Sequence, residues 1–395
     1  MLPNFTFHSA GSLIFGRDSV NQLGEIAGRL KAQRILIVTD PILVKAGLVE
    51  RILTPLTAAG VTCEVFTGCV PEPPVEVVRA GVEAARQFKP DALLGLGGGS
   101  NMDAAKLVAL VLAHGGDATD WVGDSRVPGP VFPLICVPTT AGTGSEVSAA
   151  AVFTDTAKKM KVSTLSPYLR PAFAIVDPLL TVGCPKQVTA DSGIDALTHA
   201  IEAYTAVSQT EFLKRPGGPS VYQGKNPLSD MMALECIRLV GQYLKRAVHD
   251  GQDLAARDGM ALAATLGGLA FANAGVALIH AMEYPVGGAV HVSHGAGNGL
   301  LLPYVMRYHL DCRGQQIAEI GDRLGGSSTP DGAIATIERL REDIGIPLRL
   351  RDLGVTEAML PGFAEKAFGI KRLMRVNPRI PESADEILAI YRAAF

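Results

Sequence analysis

A chain of 395 residues, 48 % hydrophobic and 19 % charged, is long enough for two or three domains with substantial cores and too apolar for extended disorder. Its net charge of −3, with Lys and Arg scattered along the sequence, excludes the basic footprint that nucleic acid or an anionic membrane surface requires, so the expected partner is a small molecule. Six cysteines lie far apart with no Cys-x-x-Cys pair, a usage that suits a reducing cytoplasm, and Met1-Leu2-Pro3-Asn4-Phe5 shows no secretory signal.

Roughly the first 140 residues alternate short β-branched runs with helical patterns, the signature of a parallel sheet with crossover helices. The predicted strands run Arg34 to Asp40, Val61 to Phe66, Asp91 to Leu96 and Val131 to Val137. Between them, helices are expected after Asp40 through Leu56, from Val75 to Phe88 and from Asn101 to Ala113. Beyond Val188 the periodicity is mainly helical, which places a domain boundary near residue 185: an α/β domain over 1–185 and an all-helical domain over 186–395. Phe212 to Asn226, rich in Pro, Gly and polar residues, reads as a long loop. Met260 to Ile279 carries no charge, but its Ala and Gly content and lack of basic anchors predict a buried helix or helix pair, not a membrane span.

Two glycine-rich turns follow predicted strands. Gly97-Gly98-Gly99-Ser100 opens a helix, where a close-approaching backbone and unpaired N–H groups favour a phosphate, while Ser100 with Asp103 has the spacing of a capping box. Pro138-Thr139-Thr140-Ala141-Gly142-Thr143-Gly144-Ser145-Glu146 is the second, and two such loops at strand ends of one sheet can grip one dinucleotide. Asp40 ends a strand, where its carboxylate can serve ribose hydroxyls and repel a 2′-phosphate, or cap the next helix. Asp195 and His199 stand at i,i+4 on one helix face, and His280 and His294 lie downstream, separated by Pro and Gly that imply a turn between them. One carboxylate and three imidazoles make a candidate divalent-metal set.

These motifs, in this order and spacing, resemble the iron-containing (group III) alcohol dehydrogenases along nearly the whole chain. The resemblance implies a Rossmann-like N-terminal domain and an all-α metal-binding and substrate domain, an architecture shared with the dehydroquinate synthases. It implies NAD, with NADP the lesser alternative, and one divalent metal, Fe²⁺ before Zn²⁺. By carry-over, Asp195, His199, His280 and His294 are the metal ligands. Asp40, Gly97, Gly98, Gly99, Ser100, Asp103, Thr139, Thr140, Thr143, Ser145, Lys161 and Leu179 are the cofactor residues. For Lys161, in Lys158-Lys159-Met160-Lys161, the bland alternative is a solvated basic turn.

Two positions depart from the family pattern. Pro71-Glu72-Pro73 replaces the usual Pro-Asn-Pro, and Tyr284 stands where many members carry a proton-relaying histidine. Tyr284 is therefore the candidate catalytic residue at that position, and Phe271 a candidate for the substrate pocket. The expected activity is hydride transfer between a small alcohol or hydroxy acid and NAD, by a homodimer or higher homo-oligomer. Tyr284 and the segment Tyr222 to Asp230 also resemble the hydroxyacid-oxoacid transhydrogenase branch, which is the first alternative. The second is a metal-dependent, non-redox lyase or synthase on the related fold.

Overall fold

Strands whose residues are apolar throughout can be covered on both faces, and three such strands, with a fourth that is apolar after its first residue, form the middle of one sheet. In the computed structural model, which describes residues 4–158 and 160–395, the sheet has the order β1-β9-β6-β4-β2-β3, all parallel. Here β1 is Ser12–Phe15, β2 Arg34–Val38, β3 Thr62–Phe66, β4 Ala92–Gly97, β6 Leu134–Pro138 and β9 Phe173–Val176. Every residue of β4, β6 and β9 is buried, whereas β1, at one edge, alternates half-buried with exposed. A smaller sheet, β5-β8-β7, comprises Gly123–Asp124 (β5), Ala150–Asp155 (β7) and Met160–Leu165 (β8).

Residues 8–183 with 219–221 form one compact unit, and residues 4–7 with 184–218 and 222–395 form another. In the first, β2 connects onward to β3 on one side while β4 connects to β6 on the other. The carboxyl ends of β2 and β4 therefore flank a topological switch point, where open α/β sheets bind ligands.

In the second unit the described secondary structure is helical apart from an isolated bridge between Ser208 and Lys225. Its site-bearing helices are Lys186–Thr205, Leu254–Ala274, Leu278–Val290 and His294–Tyr308. Glycines let the last of these approach its neighbours. A Cβ on Gly295 would stand 1.9 Å from the Asp191 carbonyl oxygen, one on Gly297 2.8 Å from Glu283 Cγ, and one on Gly299 2.8 Å from Ile194 Cγ1.

Several expectations are corrected. Arg34–Val38 is the second strand, since β1 precedes it, and β5, β7, β8 and β9 went unrecognised in the sequence. They are short, at two to six residues, and β7 and β8 mix in Thr, Ser, Lys and Asp, so their period-2 signal is weak. The loop expected from Phe212 begins with the end of a helix, Gln209–Lys214, capped by Ser208. The uncharged stretch is a helix pair, Leu254–Ala274 and Leu278–Val290, bent by 106°. The second of these continues through Pro285, Gly287 and Gly288; Pro285 and Gly287 are buried, and burial of this helix on its neighbours outweighs poor helix propensity. The chain turns only at His291, whose φ is 54°.

Alanine favours a helix over glycine by about 1 kcal/mol, but overlap with a backbone oxygen cannot be relieved by a rotamer change. Gly295→Ala should therefore be destabilising by about 1–3 kcal/mol in urea unfolding. An unchanged or raised midpoint would show that this helix does not need its close approach.

Candidate active site

The helix Gly99–His114 starts directly after β4 with Gly98 as its N-cap and no capping side chain. The expected capping box is thus corrected. Because the helix begins at Gly99, Ser100 and Asp103 are already inside its first turns and their oxygens go elsewhere. Ser100 Oγ accepts from the Glu72 amide at 3.2 Å, while the Asp103 carboxylate accepts from Ser145 Oγ at 2.6 Å and from the Val152 amide at 2.9 Å. Gly97, at φ 140°, adopts a conformation other residues avoid, and a Cβ there would lie 2.2 Å from Asn101 Nδ2.

The two glycine-rich turns meet, since Gly97 at the end of β4 pairs with Pro138 at the end of β6. The Thr139 amide donates to the Gly97 carbonyl at 3.0 Å. A Cβ on Gly98 would lie 3.6 Å from Thr140 Oγ1, and one on Gly99 2.9 Å from Thr143 Cγ2. Beneath them, the fully buried Lys106 ammonium donates to Ser145 Oγ, Ser148 Oγ and the carbonyls of Ser148 and Ala150, at 2.8–3.2 Å. Burial pulls its pKa down against the opposing Asp103 carboxylate, 3.8 Å away. This strut, which the sequence reading missed, ties the phosphate-type helix to the second turn. Its only signal was a lysine among apolar helical neighbours.

Asp40 caps the short helix Pro41–Lys45, its Oδ1 accepting from the amides of Ile42 and Leu43 at 2.8 and 3.0 Å. Its Oδ2 accepts from Asn101 Nδ2 at 2.7 Å. Lys161 lies in β8 opposite Thr154, not in a solvated turn, and its ammonium meets Glu72 Oε1 at 2.5 Å. The residue that departs from Pro-Asn-Pro is therefore the ion-pair partner of a predicted cofactor residue. Leu179 lies in a short 3₁₀ turn, and its carbonyl accepts from Arg51 Nη1 at 3.4 Å.

In the helical unit, Asp195, His280 and His294 each bring one ligand atom within 4.8 Å of the others. His199 adjoins them through Asp195, with Nε2 3.9 Å from Oδ2. Its ring is stacked between Phe271 (centroids 4.3 Å apart) and His280 (4.9 Å). Burial pushes His199 down to about 4, which keeps the imidazole neutral, the form that binds metal. Tyr284 stands 6.0 Å, centroid to centroid, from His294, and burial drives its phenol well above the ordinary value.

Three further side chains touch this cluster, none of which the sequence reading singled out. Glu202 Oε2 lies 2.5 Å from His280 Nδ1, and Glu283 Oε2 lies 2.5 Å from His294 Nδ1; both carboxylates are buried. Asn298 Nδ2 donates to Asp195 Oδ1 at 2.9 Å and stands 3.2 Å from Nε2 of both His280 and His294.

The family profile "Iron-containing alcohol dehydrogenase" matches residues 10–178, and that of the Fe-containing alcohol dehydrogenase C-terminal domain matches residues 221–395. The chain belongs to the iron-containing alcohol dehydrogenase family. Among its relatives, long-chain-alcohol dehydrogenase 1 of Geobacillus thermodenitrificans is 41 % identical over 96 % of this chain and 94 % of its own. The 1,3-propanediol dehydrogenase of Klebsiella pneumoniae is 38 % identical over 100 % of this chain and 98 % of its own. A crystal structure of 1,3-propanediol oxidoreductase superposes with a TM-score of 0.92 at 38 % identity, covering 100 % of both chains. As an iron-containing alcohol dehydrogenase, the chain is an oxidoreductase acting on small molecules. No single described helix is long and apolar enough to cross a membrane.

A small cavity is lined by Glu202, His309 and Asn377, and the Nε2 of His309 and Oδ1 of Asn377 have no hydrogen-bond partner among the described residues. Burial pushes His309 down to about 3, whereas an unfolded imidazole titrates near ~6.5. The unfolded chain therefore binds one more proton between those values. Stability from this group is lost as pH falls through ~6.5, by up to ~1.4 kcal/mol per pH unit. In urea titrations across pH, His309→Leu should flatten that acid limb; an identical limb would mean the group does not titrate this way.

Proposed function

We propose that the chain is a metal-dependent, NAD-linked dehydrogenase of small alcohols or hydroxy acids, with Asp195, His199, His280 and His294 holding the cation. The observation that carries this reading is the convergence of Asp195, His280 and His294 ligand atoms within 4.8 Å. A carboxylate with neutral imidazoles is the donor chemistry of a divalent transition ion, Fe²⁺ or Zn²⁺. When bound, the ion supplies Lewis-acid polarisation of an alcohol oxygen and NAD supplies the hydride acceptor.

The chain's own residues have separable tasks. Phe271 holds the His199 ring by stacking and closes one side of it to water. Burial favours the protonated phenol of Tyr284, which can donate a hydrogen bond. In the α/β domain, 1–185, the backbone amides of Gly98, Gly99 and Ser100 would hold the pyrophosphate of the cofactor, with Thr139, Thr140 and Thr143 supporting them. Asp103 and Ser145 hold the second turn in place through their mutual hydrogen bond. Lys161 and Leu179 serve the ribose and nicotinamide side, and the Asp40 carboxylate disfavours a 2′-phosphate. The six free cysteines suit a cytoplasmic location.

Protein reconstituted with Fe²⁺ or Zn²⁺ should form NADH in the presence of a small primary alcohol, faster than NADPH from NADP. Removing a ligand, as in His280→Ala, should cost more than the ~10–100-fold typical of a residue that only supports a ligand. Alcohol-independent absorbance, or wild-type turnover in the ligand variant, would contradict this assignment.

A further inference from the structure

The helices that carry the ligand set also carry a second residue each, three or four positions beyond a ligand. Glu202 follows His199 by three on the helix Lys186–Thr205 and reaches His280 on the helix Leu278–Val290. Glu283 follows His280 by three on that helix and reaches His294 on the helix His294–Tyr308. Asn298 follows His294 by four and reaches back to Asp195 on the first helix. Each helix thus holds a ligand of the next, and the three contacts close a ring. The spacing is what places both residues on one helix face.

The geometry points to Glu202, Glu283 and Asn298 as a positioning collar that fixes the ring tautomers of His280 and His294, so that both present Nε2 as an acceptor to the same point. A carboxylate accepts, so an imidazole Nδ1 at 2.5 Å from one must carry the hydrogen, which leaves Nε2 with its lone pair. Asn298 agrees with this. Its amide nitrogen is donor only; with one hydrogen on Asp195 Oδ1, the other is left for the two Nε2 atoms at 3.2 Å, and it needs a bare Nε2 to accept it. The local packing is built for this. Both Glu202 and Glu283 are almost fully excluded from solvent, and Glu202 Oε1 is further fixed by the Ile279 amide at 2.7 Å. Gly297 leaves the space that Glu283 fills. Charge behind the rings raises their basicity as ligands.

The collar rests on the assignment of His280 and His294 as ligands, and two measurements separate the two claims. Competition with a chelator gives the Co²⁺ or Zn²⁺ affinity of the wild type and of Glu202→Gln and Glu283→Gln, which keep shape and an acceptor but lose the charge. Each should bind about 10–100-fold more weakly, with a metal-free unfolding midpoint close to that of the wild type. Wild-type affinity in both variants, or weakening only in step with unfolding, would overturn the part of the collar that its charge plays. On unmutated, metal-free protein with ¹⁵N-labelled histidine, NMR should find His280 and His294 protonated at Nδ1; protonation at Nε2 overturns the collar whether or not the variants fold. A wild type that binds neither ion would refute the ligand assignment, and the tautomers would still judge the collar.

Discussion

An imidazole has two nitrogens, and a metal centre built on histidines works only if the correct one is bare. In this protein that constraint falls on contacts between helices: Glu202 on His280, Glu283 on His294, Asn298 on Asp195. Two of the partners are buried carboxylates, which are costly to desolvate unless hydrogen-bonded. Their cost is offset where they meet ring N–H groups, so the folding of the helical unit and the orientation of the ligand atoms are one problem.

Close helix packing is the other half of that solution. Side chains of ordinary size on the buried face of His294–Tyr308 would hold it off its neighbours, and the contacts of 2.5–3.2 Å around the site would open. Gly295, Gly297 and Gly299 remove the obstruction at alternate positions, against the Asp191 carbonyl, Glu283 and Ile194. In the α/β unit the same device recurs with a different purpose, since Gly99 admits Thr143. There the buried Lys106 and Asp103 anchor the turn from below.

The fold class was legible because its signals are strong and local. β4 and β6 are continuous apolar runs, and Val75–Phe88 has the clear periodicity of an amphipathic helix, so a parallel sheet with crossovers followed directly. The edge strand β1 and the polar pair β7 and β8 were missed because four to six residues of mixed polarity carry little periodic information. Pro285 misled in the other direction, since burial overrode a local breaker.

At the site, the Asp195–His199 spacing was readable, and the structure sets Asp195 with His280 and His294. Glu202, Glu283 and Asn298 were not read, although each sits at helical spacing from a candidate ligand. What the sequence withholds is that each contacts a candidate ligand on another helix, a tertiary relation no single periodicity encodes. Lys161 and Glu72 are a similar case, 89 residues apart and joined only by the pairing of β7 with β8 and the loop before them.

The central assignment is the ligand set, and anomalous diffraction from a crystal loaded with Fe²⁺ or Zn²⁺ addresses it most directly. One strong peak in the helical unit is expected, bonded to Asp195 and to Nε2 of His199, His280 and His294 at ~2.0–2.2 Å. A peak held by other residues, or coordination through Nδ1 of His280 or His294, would contradict it.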